Sequence, residues 1–405
     1  MQERSQELIS LEQRYGAHNY DPLDIVVARG EGVWIWDVEG RRYLDCVSAY
    51  SALNHGHCHP RIRAALVEQS QRLSLTSRAM YNDRLPSFLE RLSELTGYDA
   101  ALPMNSGVEA FETAVKLARR WGYECKQIRE NRAEIVVFEN NFHGRTIAAI
   151  SASSTEHYRK DFGPFVPGFV YAPFDDVAAL ERAISPATCA VVVEPIQGEG
   201  GVIVPADGYL THVRRICREK NILFVADEIQ TGLGRTGDLF ACDHDNVRPD
   251  ILIVGKALGG GYYPVSAILA NRALMDLFGV GDHGSTFGGN PLAASIAYAA
   301  LDTLVDENLP GRARQAGEQV LSTLRALDAP YVKDVRGRGL LVGIECNGPA
   351  RALADALLGR GIAAKETHET VLRIAPPLVI DDEALGFLLG GLADALTSVA
   401  EETLT

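Results

Sequence analysis

The sequence predicts an α/β fold: a large unit with a mainly parallel sheet covered by helices, followed by a smaller α+β unit. Three observations carry this. From about residue 60 to 300, short apolar β-branched runs alternate with amphipathic helical stretches, the pattern of strands joined by crossover helices. Two of those runs, Ile222–Ala226 and Ile251–Val254, are followed closely by a charged residue, Asp227 and Lys256. Beyond about residue 300 long helical patterns flank isolated strands instead. A chain of 405 residues can bury a large core and divide into two domains.

In chain order, residues 33–45 read as a hairpin: Val33–Trp36, a turn at Glu39-Gly40, then Arg41–Leu44. Helices are expected over 60–72, 83–96, 107–130, 175–185 and 207–220. Strands are expected over 134–139, 146–151, 189–193, 222–227, 251–254 and 265–269. In the last third, helices near 290–306, 310–327, 350–360 and 382–398 flank strands near 331–335, 340–346 and 371–375. The hinge between units falls between Pro291 and Val305, where helix replaces crossover. The expected division is 1–48, 49–297 and 298–405. No internal repeat or low-complexity segment interrupts it.

Composition narrows the function classes. Charged residues are 23% and hydrophobics 46%, ordinary for a soluble enzyme. The net charge of −14 argues against nucleic acid or anionic membranes as partners. Anionic substrates stay open, because one arginine can dominate the field inside a cleft. Seven scattered cysteines without a C-x-x-C favour a reducing compartment, the cytoplasm, over a disulfide framework or zinc site. The segment Met1–Glu7 lacks the apolar core of a secretory signal, and no apolar run is expected to reach the length of a membrane span. The cluster His55-Gly-His57-Cys58-His59 lacks further ligands on rigid elements, so no metal is expected.

The chemistry is concentrated at three places. Lys256 sits at the crest of a buried strand, where an ammonium loses hydration and its pKa falls. A lysine that can become a neutral amine suits imine chemistry with a carbonyl cofactor; the plainer reading is a packed stem with a solvated head. Asp227 ends the preceding strand, at the sheet edge where ligands of open α/β sheets bind. An acid there can pair with a protonated ring nitrogen, as in pyridoxal-phosphate sites, or simply turn the chain. Ser106, with Glu109 three residues on, reads as a capping box opening a helix whose free amides form an anion site. The helix dipole contributes only ~0.3–2 kcal/mol, so a phosphate there needs further donors, for which Ser285 and Thr286 are candidates.

An ordered set of motifs adds to this. It runs through Gly-Ala-His-Asn-Tyr20, Gly32-Val-Trp-Ile-Trp-Asp-Val-Glu-Gly40, Gly56-His-Cys-His-Pro60 and Pro103-Met-Asn-Ser-Gly-Val-Glu-Ala110. It continues through Asn141-Phe-His-Gly-Arg145, Glu194-Pro-Ile-Gln-Gly-Glu199, Asp227-Glu-Ile-Gln-Thr-Gly232, Gly255-Lys-Ala-Leu-Gly-Gly260, Gly284-Ser-Thr-Phe-Gly-Gly-Asn-Pro291 and Arg373-Ile-Ala-Pro-Pro-Leu378. From about Tyr15 to Leu389 the chain resembles the class III aminotransferases, of fold-type-I pyridoxal-phosphate enzymes, and within them the branch that uses ornithine.

The resemblance implies a small domain drawn from both termini, a homodimer with sites at its interface, and pyridoxal 5′-phosphate as cofactor. It implies that Lys256 carries the cofactor and moves protons, and that Asp227 pairs with its ring nitrogen. Phe142 would stack on the ring, with Ile229, Gln230, His143 and Glu194 around it. Ser106, Gly107, Val108 and Ser285 would hold phosphate, with Thr286 coming from a partner subunit. L-ornithine and 2-oxoglutarate are the implied substrates. Glu199 would pair with Arg373 in one half-reaction and release it in the other, while Tyr20, Tyr50 and Arg145 would orient ornithine. Two departures stand out: His143, where an aromatic such as Trp is common in the family, and the bulky Phe111. Rival readings are an acetylornithine, 4-aminobutyrate or lysine-ε aminotransferase, an aminomutase or racemase, and a non-catalytic binding protein.

Overall fold

The computed structural model describes residues 3–403. Residues 1–2 and 404–405, the extreme ends of the terminal segments drawn above, lie outside the described residues. A seven-stranded sheet forms the centre. Its strands run, edge to edge, Ala100–Met104, Ser266–Ala270, Ile251–Val254, Leu223–Asp227, Thr188–Val193, Glu134–Phe138 and Phe169–Ala172. Ser266–Ala270 is antiparallel to both neighbours, while the pairs from Ile251–Val254 through to Phe169–Ala172 are parallel.

The three central strands are buried along their whole length, which is why they read as unbroken apolar runs. Alternate residues feed two cores. Val191, Val193, Phe224, Ala226, Leu252 and Val254 join one, with Leu210, Val213 and Ile216 of the helix Tyr209–Glu219. Ala190, Val192, Val225, Ile251 and Ile253 join the other, under Ala110, Phe111, Ala114 and Leu117 of the helix Gly107–Glu124.

Two smaller sheets flank this layer. The hairpin strands Trp34–Asp37 and Arg42–Asp45 pair as expected, with Val27–Glu31 on one side. On the other side Arg42–Asp45 pairs in parallel with Ile362–Ala363, so the backbone ties the N-terminal segment to the C-terminal third. The second sheet orders Val332–Arg338, Leu341–Cys346, Val371–Ile374 and Lys365–His368.

The structure corrects the sequence reading in several places. Residues 147–151, expected as strand, form a helical turn capped by Thr146, whose Oγ1 accepts from the Ala149 amide at 3.3 Å. The run is too short to separate the two periods, and a local cap decided it. Strands Ala100–Met104 and Phe169–Ala172 were missed because both lie at sheet edges, where one-sided pairing tolerates weak strand formers; Pro103 is an example. The helix Glu3–Tyr15 was also missed. Contrary to the sequence reading, Asp382–Ala400 has the length and composition of a membrane span, with mean hydropathy 1.3. Its Leu388, Leu392, Leu396 and Val399 recur at helical spacing and lie in the large core.

Candidate active site

The chemistry gathers at the carboxyl ends of the central strands. Asp227 is the last residue of its strand, and burial leaves it 4% exposed. Its Oδ1 accepts from the Ile229 amide at 3.1 Å, and its Oδ2 pairs with His143 Nδ1 at 2.6 Å. The His143 ring lies flat on Phe111, with centroids 4.5 Å apart and planes 3° from parallel. The two departures noted in the sequence are thus one unit: a stacked pair that fixes the imidazole against the acid. Burial by itself would lower the His143 pKa, but the hydrogen bond and charge of Asp227 raise it above its ordinary value.

Lys256 follows Val254 by two residues and holds a left-handed backbone, φ 45°. Such a conformation is costly for a non-glycine residue and clusters at functional sites. Burial pulls its ammonium pKa down, against the opposing charge of Glu199. Glu194 follows the strand Thr188–Val193, and its Oε2 accepts from the Phe142 amide at 3.0 Å. Burial pushes its carboxyl up to about 8.

One cavity of about 190 Å³ brings together Lys256, Asp227, Glu194, Glu199, Phe142, His143, Ile229, Gln230, Gly107 and Val108. A second, of about 470 Å³, shares Gly107 and Lys256 with it and adds Ser106. The capping box is present: Ser106 N–H donates to Glu109 Oε2 at 2.6 Å and Glu109 N–H to Ser106 Oγ at 3.4 Å. The amides of Gly107 and Val108, in the first turn, have no partner inside the helix. Gly107 packs closely on Ile229: a Cβ there would lie 3.0 Å from Ile229 Cδ1, and that side chain would have to give way slightly.

At the mouth, Arg373 Nη1 donates to Glu199 Oε1 at 2.5 Å, and Gln230 Nε2 donates to the same oxygen at 3.1 Å. Burial alone would raise the Glu199 carboxyl, but Arg373 and Lys256 hold it down at about 2. The Tyr50 ring lies 5.2 Å from the Arg373 guanidinium, and its carbonyl accepts from Gln230 at 3.3 Å.

Other sequence candidates lie outside the two cavities. Arg145 is exposed beside Phe142. Tyr20 is exposed on the N-terminal segment. Ser285 accepts from Asn105 Nδ2 at 2.9 Å, next to Ser106, while Thr286 is exposed. The three histidines of the His55–His59 cluster engage Ala300 O, Asp45 and Glu307 separately. Sequence reasoning missed Tyr158, which packs on both Phe142 and Arg145; no motif marks it.

The residue set fits pyridoxal phosphate. His143 Nε2 and Gln230 Oε1 are buried beside the cavity without a hydrogen-bond partner among the described residues. A carboxylate, a lysine, an aromatic ring and free helix amides surround the same space.

The model of the class-III aminotransferase family matches residues 15–396. The ornithine aminotransferase of Bacillus cereus strain 03BB102 is 53% identical over 382 residues, 94% of this chain and 96% of that protein. Ornithine aminotransferase 2 of Staphylococcus aureus strain Mu50 is 53% identical over 386 residues, 95% of this chain and 98% of that one. The crystal structure of the Toxoplasma gondii ornithine aminotransferase, with pyridoxal phosphate at partial occupancy in its active site, superposes with a TM-score of 0.98 at 44% identity, over 99% of this chain and 96% of that chain. The acetylornithine aminotransferase of Elizabethkingia anophelis superposes with a TM-score of 0.89 at 48% identity, over 97% of this chain and 99% of that one.

Proposed function

The chain belongs to the class-III aminotransferases, and from that premise we propose that it acts as an ornithine δ-aminotransferase. It moves the δ-amine of L-ornithine to 2-oxoglutarate, giving glutamate 5-semialdehyde, which cyclises to pyrroline-5-carboxylate, and L-glutamate. The observation that carries the reading is the closed Glu199–Arg373 pair at the mouth of the Lys256 cavity.

Bound pyridoxal phosphate supplies the carbonyl that takes up the amino group and the electron sink for the carbon that loses its proton. Lys256 would carry it and Asp227 would hold its ring nitrogen. Phe142 and Ile229 would enclose the ring, with Gln230 near its oxygen and His143 and Glu194 behind. Ser106, Gly107 and Val108 would hold the phosphate, joined by Ser285 and by Thr286 of the partner subunit.

The protein's own residues account for the selectivity. An unpaired Arg373 would seize ornithine's α-carboxylate and bring the wrong amine to the lysine. Glu199 cancels that charge during the first half-reaction. Displacement of Glu199 then frees a planar fork that suits the 1-carboxylate of 2-oxoglutarate. Arg145, Tyr20 and Tyr50 hold the α-end of ornithine away from the reacting carbon. Lys256, whose ammonium pKa burial lowers, takes and returns the proton at that carbon through Nζ.

We also propose a homodimer. Exposed Met80, Tyr81, Val280 and Phe287 lie at or beside a surface cavity of about 810 Å³ that Ser285 also lines. Seven free cysteines suit the reducing cytoplasm.

A panel of amine donors with 2-oxoglutarate, trapping pyrroline-5-carboxylate with an aromatic amine, tests the reading. Ornithine should give the highest kcat/KM, and only with the keto acid present. A higher value for N-acetylornithine, or turnover without 2-oxoglutarate, would replace it with an acetylornithine transaminase or an isomerase.

A further inference from the structure

We infer that Tyr158 is a positioning residue for substrate selection: its ring holds the Arg145 guanidinium at the cavity rim, ready for the substrates' distal carboxylate. The inference rests on the donor reading above and adds a residue to it.

Arg373 is neutralised by Glu199, so the cation left free beside Phe142 is Arg145. Among the described residues, no hydrogen bond or ion pair engages its guanidinium. A long, exposed arginine in that state samples many rotamers and would lose that freedom on binding a carboxylate. Here two rings restrict it. The Arg145 guanidinium carbon lies 3.9 Å from the Tyr158 centroid and 5.5 Å from that of Phe142. Both distances are within cation–π range. The two rings meet edge to face, 5.9 Å apart at 78°.

Tyr158 can do this because it is itself fixed. It lies on the short helix Glu156–Arg159, whose Arg159 Nη1 donates to Ser153 O at 2.7 Å and also bonds the Tyr171 hydroxyl of an edge strand. The Arg159 guanidinium covers Phe165 at 4.3 Å. Phe142 is anchored through its amide to Glu194. The path runs from sheet edge to Arg159, to Tyr158, to Arg145. The Tyr158 hydroxyl makes no hydrogen bond among the described residues, so the ring face is what acts. Burial raises the phenol pKa, Arg145 opposes that shift, and Glu199 and Glu194 add to it.

The test compares Tyr158→Leu, Tyr158→Phe, Arg145→Leu and the double variant Arg145→Leu/Tyr158→Leu as holoenzymes. Tyr158→Leu should raise the KM for ornithine about fivefold, the scale of an exposed cation–π contact, with kcat retained. The cofactor absorption band and melting temperature should be unchanged. Tyr158→Phe, which keeps the ring, should stay within about twofold of the parent. In the Arg145→Leu background, Tyr158→Leu should add nothing. A Tyr158→Leu effect that persists in that background, or that falls on kcat and melting instead of KM, overturns the inference; so does an unchanged KM. If Arg145→Leu itself leaves the ornithine KM unmoved, the donor reading fails, and the inference falls with it.

Discussion

At the scale of single residues, the site works by setting charges against burial. Glu199 illustrates the sign. Its carboxyl sits at about 2, below the unfolded range near ~4.3, so its ion pair is complete at neutral pH and is lost only as the pH falls through the folded value. The preference for the δ-amine should therefore stay flat from about pH 6 to 9. Changing Glu199 to Ala should leave Arg373 uncompensated and raise α- relative to δ-transamination, about tenfold or more for a freed charge pair; an unchanged product ratio would remove the gate. Glu194 runs the opposite way. Its carboxyl is raised to about 8, so the folded state keeps a proton that the unfolded state has released, and stability should fall as pH rises from about 4 to 8. Glu194→Gln keeps an oxygen for the Phe142 amide and removes that burden. Melting curves across this range should show the variant gaining on the parent as pH increases. Lys256→Ala should lower kcat at least ~100-fold, the scale of a lost acid–base group.

At the scale of elements, strand ends and helix starts place these residues, and close backbone contacts hold the elements together. The helix Leu309–Ala326 shows the tightest case. A Cβ on Gly317 would sit 2.0 Å from the Gly339 carbonyl oxygen, on the turn before the strand Leu341–Cys346. Alanine would improve helix propensity by ~1 kcal/mol. The backbone clash outweighs that gain, because overpacking costs ~1–3 kcal/mol or more and a carbonyl cannot rotate away. Urea denaturation of Gly317→Ala should show a net loss of stability of about that size. Asn290 caps the helix Pro291–Asp306 by accepting from the Ala293 amide at 2.8 Å. The same measurement on Asn290→Ala should show a loss of ~1 kcal/mol.

At the scale of the whole molecule, the exposed apolar residues support the proposed homodimer. Tyr81 and Val280 are fully exposed, and Met80 is 63% exposed. Contiguous exposed apolar surface of this kind marks an association site. Tyr81→Glu should shift the sedimenting species toward monomer at micromolar protein and lower activity with it, if residues such as Thr286 complete the neighbouring site; a monodisperse monomer of the unaltered protein would end the dimer proposal.

The buried strands, the Ser106 capping box, and Asp227 and Lys256 at strand ends were legible in the chain itself. Each depends on local periodicity or on residues three apart, which linear order records directly. The edge strands, the turn at Ile147–Ser151 and the contacts of Tyr158 were not. Their conformation or partners come from segments distant in sequence: Ala100–Met104 from pairing with Ser266–Ala270, and Tyr158 from meeting Phe142 and Arg145. His143 and Phe111 show the same divide. Separated by 32 positions, they read as two oddities in the chain; folded, they form one stack that steadies the acid. Local chemistry marked the candidate reactive groups, and only the meeting of remote side chains decided how their charges are held.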